Sequence, residues 1–329
     1  MKAMAFTRYG HPESIEERTF PKPVPKETEV LVRVHASSIN SWDWEFLEGS
    51  PLVNRLMFGF LHPKAGKQIL GADIAGTVEA VGDEVTRLKP GDEVFGDLWS
   101  EWGGFAEYAC TAETSLELKP ANASFVEAAS VPQAGVLALQ SLELGDPIEA
   151  GQKVLINGAG GGVGTFAVQL AKRRGAEVTG VDAAHKLEIV SSIGADYVID
   201  FTEQDFTDAA DSSNQYDLIV DCQGTRSMRD IRRVLAPAGT YAMVGGRMRV
   251  ILQLYFSRLL KSFTRRDSRN FRLVMAGPNK GLNQLKKLIE TKELIPVIDK
   301  TYPVADLYEA FQYFGEGLHK GKIAISVKE

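Results

Sequence analysis

Ala159-Gly160-Gly161-Gly162-Val163-Gly164 restricts this chain more than any other stretch of it. It follows the apolar run Lys153–Asn157 and precedes Thr165–Arg174, where Phe166, Ala167, Leu170 and Ala171 recur at helical spacing. Glycines at a strand-to-helix turn let backbone approach a ligand closely, and the first amides of a helix lack intrahelical partners. A bound diphosphate uses both properties. Ala159 stands at the first glycine of a G-x-G-x-x-G pattern, Gly161 and Gly164 hold the other two places, and Gly160, Gly162 and Val163 complete the cradle. Glu177–Val181 then reads as a strand that ends on Asp182. A strand, a glycine turn, a helix, a second strand and an acid in this order predict a dinucleotide site rather than a bare turn.

Asp182 is placed to accept hydrogen bonds from an adenosine ribose, which favours NAD(H). His185 and Lys186 follow it and offer positive charge to a 2′-phosphate, although Lys186 equally reads as a solvated lysine at a helix start. These residues leave NAD(H) and NADP(H) both open.

The pattern around the cradle continues with a helix over Lys186–Ile193 and strands at Tyr197–Asp200, Leu218–Asp221 and Thr240–Val244. Strands alternating with helices at this spacing predict a doubly wound, Rossmann parallel sheet over 124–265. Ahead of it, 1–123 reads as β structure: Val30, Val32 and Val34 share one face, and short strands at Gly76–Val81, Glu93–Phe95 and Phe105–Cys110 are broken by Gly and Pro. Residues 266–329 hold a basic irregular stretch, helices over Leu282–Thr291 and Val304–Phe314, and the strand Lys322–Val327, and are expected to return to the first domain. The expected class is α/β with two domains, which 329 residues suit. A formal charge of −6 argues against general affinity for nucleic acid. No run of about 18 apolar residues predicts a membrane span, and nothing at the start reads as a signal peptide. Two cysteines, Cys110 and Cys222, make no disulfide framework, and the default expectation is a cytoplasmic protein.

Ala36-Ser37-Ser38-Ile39-Asn40 with Asp43, Gly71-Ala72-Asp73-Ile74-Ala75-Gly76, Lys89-Pro90-Gly91-Asp92 and Gly103-Gly104-Phe105-Ala106-Glu107 stand in order before the cradle. Gln169-Leu170-Ala171-Lys172, Gly194-Ala195-Asp196, Pro296-Val297-Ile298-Asp299 and Gly321-Lys322 follow it. Together these resemble the zinc-free quinone oxidoreductase branch of the medium-chain dehydrogenase/reductase superfamily, over nearly the whole chain. The resemblance implies a GroES-like catalytic domain (1–123 and 266–329) split around the cofactor domain, with the active site in the cleft between them. It slightly favours NADP(H). It also implies a homodimer, for which Arg269–Met275 is the candidate edge strand, or else an exposed surface strand.

Zinc relatives place a cysteine at the Ser38–Asn40 region, a His-Glu pair at Ala72-Asp73, and a second cysteine within Pro132–Gly135. No thiolate or imidazole stands at these points, so no metal site is expected, and alcohol oxidation loses its Lewis acid. The implied reaction is hydride transfer from NAD(P)H to a small-molecule quinone or enone. Asn40 is the candidate donor to the acceptor oxygen, or caps the turn after its strand; Asp43 and Asp73 orient neighbours or are structural. Val244, Gly245 and Gly246 resemble the backbone that approaches the nicotinamide ring, and Asp221-Cys222-Gln223-Gly224 ends a parallel strand beside the cofactor. Leu137 replaces a threonine common in relatives near the nicotinamide. Trp42, Trp44, Phe46, Trp99 and Trp102 are expected to line the acceptor pocket, or to pack. Val250–Arg266 reads as an amphipathic lid, with peripheral membrane contact as the less favoured alternative. Two rival functions remain: a zinc-free alcohol dehydrogenase or single-enone reductase, and a non-catalytic nucleotide-binding sensor or structural protein.

Overall fold

The computed structural model describes residues 1–50, 52–64, 66–208, 215–246, 248–255, 268–275 and 277–327. These residues form two units: Met1–Ala134 with Pro278–Lys292 and Pro296–Glu329, and Gly135–Gly277 with Glu293–Ile295.

In the first unit, β1 (Lys2–Phe6) and β2 (Ile15–Thr19) pair antiparallel. The alternating valines lie in a long strand, β3 (Glu29–Ile39), with Val30, Val32 and Val34 buried on one face. It pairs antiparallel with β4 (Asp73–Val81), which pairs with β5 (Glu93–Asp97); β6 (Tyr108–Ala112) also pairs with β3, and β7 (Glu117–Leu118) with β5. Two helices, α1 (Ser41–Glu48) and α2 (Leu52–Phe58), interrupt what the sequence predicts as β structure. The inward stripe of α1 is Asp43, Phe46 and Leu47, and the aspartate within it hides the helical period from a hydrophobicity reading. Next, α3 (Phe125–Ala129) is capped by Ser124, whose side chain accepts from the Glu127 amide.

Residues 124–134 belong with this β-rich unit, not with the parallel sheet where the sequence pattern places them, because α3 packs on β3 and β4. The helix α4 (Pro132–Leu142) begins there and carries the chain into the second unit.

The second unit has six parallel strands in the order β10-β9-β8-β11-β12-β13. They are β8 (Lys153–Asn157), β9 (Glu177–Asp182), β10 (Tyr197–Asp200), β11 (Tyr216–Asp221), β12 (Leu235–Met243) and β13 (Asn270–Leu273). Strands β9 and β11 flank β8, so the strand order reverses beside the first strand, where doubly wound sheets bind ligands. The helix α5 (Gly162–Arg173) buries Phe166, Ala167, Leu170 and Ala171 as its spacing predicts. It starts three residues before the predicted Thr165, so the last glycines of the motif are its first turn. In α6 (Ala184–Ser192), His185 and Lys186 likewise fall in the first turn. β13 is the outermost strand, paired only with β12 among the described residues; it keeps 270–273 in this unit rather than with the C-terminal segment. Of the predicted lid over 250–266, residues 250–255 lie in a helical stretch that begins at 248, with Val250 and Leu254 buried; 256–266 lies outside the described residues.

The chain then returns to the first sheet through β14 (Ile298–Pro303) and β15 (Lys322–Ser326). Ile323 and Ile325 are buried in the core formed by Met4, Phe6, Ile39, Phe46 and Phe311, which explains the return. Antiparallel pairing of Ile323 with Ile39 sets Lys322 beside Asn40.

Candidate active site

Gly158, at φ 87, turns the chain out of β8, and its amide and that of Ala159 both donate to Val181 O. Gly161 caps α5, so the Gly162, Val163 and Gly164 amides open the helix without intrahelical acceptors. The glycines differ in purpose. A Cβ on Gly164 would lie 2.1 Å from Gly158 O, so this glycine packs helix against strand. At Gly161 the nearest contact would be 3.4 Å, which leaves its side of the turn open to a ligand. At Gly160 a Cβ would meet Lys186 Cβ at 2.7 Å. The turn suits a diphosphate: amides open a helix start, and the Cβ position of the capping Gly161 is clear of other side chains among the described residues.

Asp182 is nearly buried at the end of β9. Its Oδ2 accepts from the Gly160 amide at 2.8 Å and Oδ1 from the Ala183 amide at 2.9 Å, so it braces the cradle as well as facing it. Lys186 is also nearly buried, with Nζ 4.0 Å from Asp182 Oδ1; it is not the solvated lysine that its sequence position allows.

At the ends of β11 and β12, Asp221 Oδ1 accepts from Asn157 Nδ2 and from the Gln223 and Gly224 amides, and Oδ2 from Tyr241 OH at 2.7 Å. This buried carboxylate fixes the turn that the sequence predicts beside the cofactor. Gly224 (φ 53) and Gly246 (φ 151) pack backbone to backbone; a Cβ on Gly246 would lie 2.7 Å from Gly224 Cα. Gly245 has open space where its Cβ would be, and the Val244 amide donates to Asp221 O. Burial raises the Cys222 thiol, which therefore makes a poor nucleophile.

A buried polar cluster sits at the end of β3. Asp73 Oδ2 accepts from Ser38 Oγ and Asn40 Nδ2, both at 3.0 Å, and lies 3.4 Å from Lys322 Nζ; its Oδ1 accepts from the Gln133 amide at 2.9 Å. Lys322 Nζ also donates to Ile39 O and Asn40 Oδ1. Asp43, fully buried, accepts from the Asn40 amide through Oδ2 and from the Gly71 amide through Oδ1, so it braces the start of α1 and has no open face. Desolvation pushes its carboxyl up to about 7, against the pull of the two backbone bonds. Asp97, 4% exposed, is raised well above the usual carboxylate range, by burial first and then by the Asp73 and Asp43 charges; its Oδ1 has no partner among the described residues. Ser38, Gln133, Asp97 and Lys322 were not marked as site residues by sequence reasoning. The one available signal was a lysine opening the apolar run Lys322-Ile323-Ala324-Ile325.

The predicted aromatic group divides. Trp42 meets Trp99 edge to face at 4.8 Å and stacks on Phe46, which meets Trp102 at 5.0 Å. Trp102 holds a left-handed φ of 63, a costly backbone for a bulky residue, secured by its amide bond to Leu98 O. Trp44 instead packs on Phe311 and Phe314 of the Leu307–Gly315 helix. His35 stacks on Phe125 at 4.2 Å, a packing residue.

Residues 26–140 match the alcohol dehydrogenase GroES-like domain family, and 193–325 match a family described as zinc-binding dehydrogenase. The chain is 30% identical to a 2-methylene-furan-3-one reductase of Solanum lycopersicum, over 99% of this chain and 79% of the relative. It is also 30% identical to a chloroplastic quinone-oxidoreductase of Triphysaria versicolor, over 99% of this chain and 98% of that one. Among solved structures, the quinone oxidoreductase from Coxiella burnetii superposes with a TM-score of 0.87 at 27% identity, covering 100% of this chain and 99% of that one. The chain belongs to the quinone oxidoreductase branch of the medium-chain dehydrogenases/reductases. As a member of this family it is a pyridine-nucleotide oxidoreductase.

Zinc, which the second family's description implies, does not suit the residues of this chain. Ser38, Asn40, Ala72, Asp73 and Gln133 stand at or beside the positions expected of metal ligands, and the Lys322 ammonium already lies among them. Among the described residues no group of three or more His, Cys, Asp or Glu side chains is arranged to hold a metal. Nor is any described helix long and apolar enough to cross a membrane.

Proposed function

We propose that the protein reduces a quinone or an α,β-unsaturated carbonyl with NAD(P)H, without zinc, as a cytoplasmic homodimer. The observation that carries this reading is the open amide cradle at the start of α5 in a chain whose polar cluster is organised by an ammonium. The bound reduced nicotinamide supplies a hydride. The Gly162–Gly164 amides bind the diphosphate, Asp182 accepts from the adenosine ribose, and Gly245 leaves backbone bare for the nicotinamide end. Asn40 Nδ2–H stabilises the acceptor oxygen as negative charge develops there. Trp42 and Trp99 offer ring faces to a flat conjugated acceptor, and water supplies the proton.

Asp182 supports NADH over NADPH, since a 2′-phosphate would be brought to a carboxylate. The outer strand β13 supports assembly through sheet edges. Fluorescence titration with NADH and NADPH, followed by turnover of a small quinone and a small enone in chelator-treated protein, tests the reading. The expected result is saturable binding and consumption unaffected by the chelator. Binding without consumption would favour the non-catalytic alternative, for which the apolar Leu137 speaks; loss of turnover on chelation would refute zinc independence.

A further inference from the structure

Lys322 is 2% exposed, and its Nζ has three acceptors: Ile39 O, Asn40 Oδ1 and Asp73 Oδ2. An ammonium only donates and a carboxylate only accepts. Asn40, set between them, therefore has one orientation, with Oδ1 toward Lys322 and Nδ2 toward Asp73. A flipped amide would face N–H with N–H and oxygen with oxygen. One Nδ2–H goes to Asp73; the other has no partner among the described residues. Stability alone does not call for this lysine, because a well-packed apolar side chain generally serves a buried position as well as an ion pair or better.

We propose that Lys322 is a positioning residue for the reduction: it fixes and polarises the Asn40 amide so that the free Nδ2–H meets the acceptor oxygen as charge develops. A bond accepted from an ammonium draws electron density toward Oδ1 and strengthens Nδ2–H as a donor. The ammonium also places a positive charge behind that donor in a water-poor site, where it counts for more than in water. In this chain a covalently tethered cation thus stands among the positions expected of a metal's ligands. The inference rests on the proposed quinone or enone reduction.

The test is steady-state and single-turnover kinetics of Lys322→Met, Lys322→Arg, Asn40→Ala and the Lys322→Met/Asn40→Ala double variant, with NADH and a small quinone. Asn40→Ala is expected to lower kcat about a hundredfold, as loss of one oxyanion donor does, and Lys322→Met about tenfold. The NADH Kd and quinone KM are expected to hold, Lys322→Arg to recover part of the loss, and the double variant to be no slower than Asn40→Ala, since both act through one donor. If Lys322→Met does not fold because Asp73 loses its counter-charge, Asp73→Asn/Lys322→Met replaces it, with the same expected fall in kcat. A wild-type kcat in the variant used, or single effects that multiply, would overturn the inference while the proposed function stands. A wild-type protein that consumes neither quinone nor enone overturns the function itself, and this inference with it, before any variant is made.

Discussion

Neighbouring glycines of this chain answer to different forces, and substitution separates them. A valine at Gly245 enters open space, so Gly245→Val should leave the melting temperature unchanged while weakening NADH binding about tenfold or more, read by fluorescence titration. Gly246→Val forces a side chain to within 2.3 Å of Met243 Cε at a φ of 151, and its melting temperature should fall by roughly 5 °C. Equal effects at the two sites would contradict their division into ligand-facing and packing positions. Asp182 accepts from the Gly160 amide and, in the proposed reading, disfavours a 2′-phosphate. Asp182→Ser should therefore shift the NADH-to-NADPH ratio of kcat/KM toward NADPH by about tenfold. An unchanged ratio would mean that His185 and Lys186 set the choice.

At the scale of an element, α5 starts within the glycine motif, so its first amides have no intrahelical acceptors and stand open at the proposed diphosphate site. Gly161→Asp keeps an allowed backbone, at φ −86, and adds a carboxylate beside those amides. It should abolish measurable NADH binding in a folded protein. Gly164→Asp would lose binding by unfolding instead, because its Cβ meets Gly158 O; circular dichroism tells the two apart. Much of this element was legible in advance: the inward stripe Phe166, Ala167, Leu170 and Ala171 has a clean helical period. α1 was not legible, because its buried stripe includes Asp43, which is tolerated only through amides contributed by Asn40 and Gly71.

Across the whole molecule, the buried acids of the first unit tie stability to pH. Asp43 has a folded pKa near 7 against about 4 when unfolded, so the folded state holds more protons between those values. The stabilisation is complete below pH 4 and is lost as pH rises through 7; Asp97, raised in the same sense, extends the loss. The melting temperature should fall by roughly 5 °C or more between pH 5.5 and 8.5, and Asp97→Asn should narrow that fall. A flat profile would refute the raised carboxyls of Asp43 and Asp97. Sedimentation should give twice the mass of a single chain if the sheet edge at β13 pairs two copies.

Periodicity and turn chemistry were enough to set the order of strands and helices around residues 153–200 and to place a glycine turn at a helix start there, because those signals come from neighbours a few residues apart. Only the tertiary structure joined Asn40, Asp73, Gln133 and Lys322. The bond from Lys322 to Asn40 spans 282 residues and depends on the register of β15 against β3. No local pattern encodes that register; it follows from burying Ile323 and Ile325 in a core that the rest of the unit must first create.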